Sequence, residues 1–268
     1  MEDPHFQQRF GGIARLYGRA ALESFRNSRV AVVGIGGVGT WAVEALARSG
    51  IGNLILVDMD EVCLTNTNRQ IHATQNTVGT AKTTAMAQRI HTISPACEVI
   101  EQNYFLTPNT LERFLLNQPD VIVDAIDSLS NKCMLIAHCH RHKIPLVTTA
   151  GAGGRRDPTQ VQVTDLSRVI NDPLAAKVRK VLRRDHGFPR QKRRKFHIPC
   201  VFSPENPIYP SADGGVCEVR DPNTELKLDC ESGYGTASFL TGSFGFTAAS
   251  EALKILASSE ARASTRMR

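Results

Sequence analysis

The chain has 268 residues, of which 41% are hydrophobic and 22% charged. Those proportions exclude a largely disordered chain and suit one large α/β domain, or one domain with an appended lobe. The formal net charge of +6 points to a polyanionic partner, and the excess is local: residues 158–199 hold eleven Lys/Arg against three Asp/Glu, leaving the rest slightly acidic.

The opening Met1–His5 is acidic and polar and does not read as a secretory leader. Residues 1–28 are expected to form a helical arm. From 29 to 156 apolar runs alternate with helical segments. Arg29–Gly34 is a strand ending in glycine, and Val38–Ser49 a helix closed at Gly50. Leu54–Asp58 is the second strand, and Thr80–Ser94 a helix stopped by Pro95. Cys97–Ile100 is a weaker third strand, followed by a helix over Pro108–Asn117. Val121–Asp124 is the fourth strand, Leu129–His142 a helix and Pro145–Thr149 the fifth strand. Strands apolar along their whole length and separated by helices predict an α/β fold, a doubly wound, mostly parallel, Rossmann-like sheet covered on both faces.

The remainder, 157–268, reads as a C-terminal extension. Gln160–Thr164 alternates like a half-exposed strand, Asp172–Arg184 is a basic helix, and Ile198–Ser203 is another strand. Between them runs a loop dominated by Arg and Lys, placed with the end of the basic helix in a segment 177–197. Residues 234–257 form a closing helix. Residues 232–250 carry no formal charge, yet four glycines and seven Ser/Thr make them too polar for a lipid-facing span, so a buried helix and no stable membrane association are expected.

Four motifs carry chemistry. Gly34, Gly36, Gly37 and Gly39 lie between the first strand and its helix, where glycines admit a phosphate close to the backbone and the helix supplies N–H donors. Asp58 ends the second strand, where a carboxylate can accept from ribose hydroxyls. A nicotinamide site needs only that acid. Here it is followed by Asp60, Asn66, Asn68 and Arg69 within one loop, which suits a triphosphate and Mg²⁺ better. Lys82, near the next helix start, can reach a phosphate. Asp124 and Asp127 stand at the carboxyl end of the fourth strand: Asp127 is the candidate magnesium ligand, and Asp124 a candidate cap for the following helix.

Taken in order, the glycine run, the block from Asp58 to Gln70, Lys82 and Asp124–Asp127 resemble the ThiF/MoeB/HesA superfamily, relatives of ubiquitin-activating enzymes. That resemblance implies adenylation of a carboxylate, with Arg69 and Lys82 on the phosphates, Asp58 on the ribose and Asp127 on Mg²⁺. It also implies a homodimer in which an arginine near the chain start reaches the partner's ATP. Arg15 is the first choice and Arg9 the second. Arg9–Gly18, Gly151–Gly154, Cys200–Glu205 and the segment from Asp229–Cys230 to Phe246 further resemble the tRNA threonylcarbamoyladenosine dehydratase branch. The implied reaction is ATP-dependent cyclisation of threonylcarbamoyladenosine beside the anticodon, in the cytoplasm. A monovalent cation and a cysteine-desulfurase or sulfur-acceptor partner are further implications.

Paired C-x-x-C zinc motifs are absent from the chain, which counts against zinc and against the alternative, an adenylyltransferase for the C-terminal glycine of a ubiquitin-like sulfur carrier. His138, His140 and His142 read as a basic last helical turn rather than a metal site. Lys177, Arg179, Lys180, Arg183, Arg184, Arg190, Lys192, Arg193, Arg194 and Lys195 make a patch able to neutralise several RNA phosphates, with Phe188 and Phe196 as candidates to stack on bases. The seven cysteines are odd in number, and reduced thiols are the expectation. Cys230 is the best candidate for a reactive thiol, followed by Cys200 and Cys217.

Overall fold

The computed structural model describes residues 3–191, 194–211, 213–218 and 234–266, with side chains up to 258. Its centre is a seven-stranded sheet in the order β3-β2-β1-β4-β5-β7-β6. The strands are β1 (Arg29–Val33), β2 (Asn53–Val57), β3 (Glu98–Gln102), β4 (Val121–Asp124), β5 (Leu146–Thr149), β6 (Gln162–Asp165) and β7 (Pro199–Phe202). All neighbours run parallel except the β6–β7 pair. The second half of the chain therefore continues the sheet of the first, with β7 adding directly to β5. A short hairpin of β8 (Tyr209–Pro210) and β9 (Val216–Cys217) stands apart.

The strands carry apolar side chains on both faces, as a sheet covered twice must. Val30, Val32, Leu54, Leu56, Val121 and Val123 belong to one core. It is closed by α3 (Gly37–Arg48), α4 (Lys82–Ile93) and α8 (Ser238–Arg266). Ala31, Val33, Ile55, Val57 and Ile122 face a second core. Phe114 of α5 (Pro108–Leu115), Leu135 of α6 (Leu129–His142) and Leu182 of α7 (Pro173–Asp185) close that side. The N-terminal arm is α1 (Phe6–Tyr17) and α2 (Arg19–Asn27), broken at Gly18 with φ 93°.

The uncharged segment near the C-terminus begins its helix at Ser238, later than its composition predicts. Its small residues serve helix packing. A Cβ on Gly245 would lie 2.5 Å from the Val38 carbonyl oxygen and 2.7 Å from Trp41 Cβ, so α8 crosses α3 at backbone contact. No helix among the described residues is long and apolar enough to cross a membrane.

Chain order reverses between β1 and β4: β2 and β3 lie to one side of β1, β4 and β5 to the other. Such a switch point opens a crevice at the carboxyl ends of the central strands. Gly245→Val should cost about 1–3 kcal/mol by overpacking the α3–α8 crossing, read as a lowered urea midpoint.

Candidate active site

The crevice begins at the turn after β1. Gly34 has φ +90°, and a Cβ there would sit 2.8 Å from the Ala125 carbonyl oxygen, so only glycine lets the β1 and β4 loops touch. Gly39 packs beneath the same turn, where a Cβ would overlap the Gly34 carbonyl. Gly36 caps α3 without a side chain and has open space around its Cα, while Gly37 abuts Thr241. The first amides of α3 are thereby left for a ligand, with the positive end of the helix dipole behind them.

Asp58 braces this loop. One carboxylate oxygen accepts from the Ile35 amide at 2.6 Å, the other from the Asp60 amide at 2.9 Å. Burial pushes its carboxyl above the ordinary range, against the pull of the Lys82 ammonium at 4.0 Å and of the two amides. Lys82, at the start of α4, is buried and donates to Asp60 at 2.6 Å. His72 lies in the same interior. Burial first, and the Lys82 charge second, push it down to about 4, so it is neutral at pH 7.

The polar block after β2 divides by role. Asn66 is buried and its side-chain oxygen accepts from the Cys63 amide at 3.1 Å, holding the loop. Asn68 donates to the Thr236 carbonyl at 2.9 Å, tying the loop to the segment before α8. The Arg69 carbonyl accepts from Trp41 at 3.0 Å and Thr241 at 3.1 Å, and its guanidinium donates to Thr65 and Asn68. Arg69 is thus fixed at its backbone while its side chain borders the crevice.

The crevice consists of two adjoining clefts. The smaller, about 310 Å³, is lined by Gly34, Asp58, Asp60, Gln70, Lys82 and Phe105 among others. The larger, about 490 Å³, runs past Thr149, Gly151–Gly153, Arg155, Asp172 and Tyr234. Gly36, Gly37, Arg69, Ala125, Ile126 and Asp127 line both. Asp127 is exposed on that divide, and no hydrogen bond or ion pair occupies its carboxylate among the described residues. Magnesium is held in nucleotide sites by one or two carboxylates together with phosphates and water. A single open carboxylate beside an anion cradle fits that pattern, and the described residues contain no self-sufficient cluster of metal-binding side chains.

Asp124 does not cap α6; Ser128 stands at that position. Asp124 is fully buried and pairs with Lys132 at 2.9 Å, where side-chain exposures are 0% and 2%. It also accepts from Thr148 at 2.6 Å and from the Ile126 amide at 3.1 Å, while Lys132 donates to the Ile126 carbonyl at 2.9 Å. A carboxylate so placed is consumed by the interior and cannot spare an oxygen for a helix amide. The pair sets the turn that carries Asp127, and only the lysine in the otherwise apolar inner stripe Cys133, Ile136, Ala137 hinted at it.

Other predicted residues lie elsewhere. Arg15 is exposed on α1 and lines neither cleft, and Arg9 pairs with Asp3 at 3.0 Å. Arg179, Lys180, Arg183, Arg184 and Arg190 line a separate basic groove of about 390 Å³ beside Ala176. Lys177, Arg194 and Lys195 are exposed and do not line it, and Arg184 is held by Asp185 at 2.6 Å. Phe188 and Phe196 are buried against each other at 4.9 Å, with the Arg183 guanidinium over Phe196. Their apolar surface anchors the basic loop to the core, so they are not base-stacking platforms. His138 and His142 stack at 4.2 Å on the last turns of α6. Cys200 is buried, its thiol pushed far up by burial, while Cys217 is half-buried and Cys63 exposed. Lys192, Arg193 and Cys230 lie outside the described residues. Lys132→Met should destabilise the protein by about 3–5 kcal/mol in equilibrium unfolding, because Asp124 would be left buried without a counter-charge.

Residues 11–268 match the ThiF family. The chain is 51% identical over 258 residues to the tRNA threonylcarbamoyladenosine dehydratase of Escherichia coli strain K12, covering 96% of each sequence. It is similar to the structure of E. coli tRNA N6-threonylcarbamoyladenosine dehydratase in complex with ATP, with TM-score 0.87 and 48% identity over 98% of this chain and 99% of that one. The AMP complex of the same enzyme matches with the same score, identity and coverage. The chain belongs to the ThiF family, within its tRNA threonylcarbamoyladenosine dehydratase branch.

Proposed function

We infer that this protein catalyses ATP-dependent dehydration of threonylcarbamoyladenosine in tRNA by activating the threonyl carboxylate. The observation that carries the reading is the pair of clefts meeting at Arg69, the α3 amides and Asp127. A nucleotide in the smaller cleft and a carboxylate in the larger would meet there, and likeness to a relative solved with ATP and with AMP supports nucleotide binding.

In this reading Asp58 accepts from a ribose hydroxyl, while the α3 amides, Arg69 and Lys82 hold the phosphates. Lys82 rests on Asp60, so a bound phosphate replaces or shares that partner. These cations and dipoles are fixed before the substrate arrives, which is the arrangement that stabilises charge developing in a transition state. The substrate carboxylate attacks the α-phosphate, releasing pyrophosphate and forming an acyl-adenylate. The carbamoyl group of the same nucleoside then attacks the activated carbonyl carbon, AMP leaves, and the net change is loss of one water. Asp127 would hold Mg²⁺ against the phosphates; the metal supplies charge neutralisation when bound.

The basic groove on α7 and its loop holds the tRNA backbone. Arg15, exposed on α1, completes the site of the partner subunit in a homodimer. Four buried cysteines, Cys97, Cys133, Cys139 and Cys200, are excluded as sulfur acceptors, which leaves Cys63, Cys217 and Cys230, and Cys230 is the thiol we assign to a sulfur-transfer partner. The reaction is placed in the cytoplasm with its tRNA substrate.

Incubation with Mg-ATP and tRNA carrying the modified nucleoside should lower that nucleoside's mass by one water, about 18 Da, only when ATP is present. An unchanged nucleoside, with pyrophosphate exchange appearing only on adding a sulfur-carrier protein, would replace this reading with carrier adenylation. Arg69→Ala and Asp127→Ala should each lower kcat/KM by about 10²–10³-fold, as removal of a charge-stabilising group does.

A further inference from the structure

The helix α7 belongs to two sites at once. Asp172, Pro173 and Leu174 at its start line the larger cleft. Ala176, Arg179, Lys180, Arg183 and Arg184 further along line the basic groove. At about 1.5 Å per residue, Lys180 lies about 9 Å and Arg184 about 15 Å beyond Leu174 along the axis. That separation is short on the scale of a nucleic acid: it reaches the phosphates of the nearest few nucleotides and no further.

The start of α7 is locked to the cleft. Asp172 caps the helix through the Ala175 amide at 2.7 Å. Its other oxygen accepts from the Gly151 amide at 3.0 Å and from Arg155 at 3.1 Å. Arg155 also donates to the carbonyls of Gly153 at 2.9 Å and Asn171 at 3.0 Å. Both charged side chains are 1% exposed. One buried ion pair thus joins the helix carrying the basic face to the glycine loop that forms the cleft wall. Further along, Arg179 donates to the Leu166 carbonyl at 3.4 Å and Arg183 to that of Pro189 at 3.2 Å, so the basic face is itself braced.

We propose that α7 is a spacer of fixed length between two halves of one RNA site. Its first turn bounds the pocket for the modified nucleoside, and Lys180, Arg183 and Arg184 hold phosphates of the immediately adjoining nucleotides. The Arg155–Asp172 pair acts as a positioning element that keeps the two in register. The proposal rests on the reading of the larger cleft as the nucleoside pocket.

The test uses the full protein and a single-stranded pentanucleotide with threonylcarbamoyladenosine at its centre, bound at several salt concentrations. Lys180→Ala combined with Arg184→Ala should weaken binding about tenfold and flatten the salt slope by about one to two. Equal binding by wild type and variant, with a difference appearing only on whole tRNA, would overturn the proposal by placing the contacted phosphates far from the nucleoside. A second variant, Arg155→Met with Asp172→Asn, removes the ion pair and retains a helix cap. It should keep the salt slope for the pentanucleotide while kcat for dehydration falls about tenfold or more, a split that loss of register produces. Parallel loss of the salt slope and kcat would mark the pair as general support for the fold and overturn its positioning role. Wild-type protein that binds the pentanucleotide through α7 yet never removes water from it with ATP would refute the proposed reaction and leave the α7 assignment standing.

Discussion

The site is organised by a lysine and an aspartate that neither cleft can see. An isolated charge at the depth of Asp124 would be expensive, and its pairing with Lys132 at 2.9 Å makes it tolerable only because the remaining lone pairs and protons are also satisfied. Thr148, the Ile126 amide and the Ile126 carbonyl complete that set. The result is a turn, Ala125–Asp127, whose conformation is dictated from below. Everything that meets the turn inherits its position: Gly34 presses on the Ala125 carbonyl, and Asp127 stands between the clefts.

Carboxylates perform the same structural task elsewhere along the carboxyl edge of the sheet. Asp58 gathers the Ile35 and Asp60 amides after β2, and Asp172 gathers the Gly151 and Ala175 amides beside β5. Each accepts from loop backbone that would otherwise lack partners, and each sits beside a cation. Loops are where a fold is least constrained, so this chain restrains its functional loops by charge-assisted bonds to buried acids. The cations left facing the crevice are consequently pre-arranged, and little reorganisation is required when an anion arrives.

Much of the architecture was legible because it depends on local pattern. The apolar runs from Arg29, Leu54, Val121 and Pro145 became parallel central strands, and Leu129–His142 became α6 with the same bounds. The glycine run and the Asp58–Arg69 block declared the crevice because their chemistry is compressed into short stretches. Pairings that form only in three dimensions were nearly silent: Lys132 interrupts an apolar helix stripe without naming Asp124 as its partner, and Arg155 and Asp172 carry no mark separating them from surface charges. Phe188 and Phe196 misled for the complementary reason. An aromatic flanking a run of cations looks solvent-facing, yet the ring is the anchor and the cations are the surface. Asn66, read as a ligand group, lines the smaller cleft and in addition holds its own loop, its side-chain oxygen accepting from the Cys63 amide.

The depth at which the cysteines lie has a consequence for redox behaviour. Burial pushes Cys97 and Cys139 up to about 12 and Cys133 to about 11. At pH 7, a thiol titrating near 12 is ionised in only about one molecule in 10⁵, and thiolate is the form that oxidants and disulfides attack. These sulfurs behave as small hydrocarbon groups, and oxidative stress acts on the protein through its accessible thiols instead. A fold that handles a strongly activated carboxylate thereby keeps most of its intrinsic nucleophiles out of reach of its own chemistry.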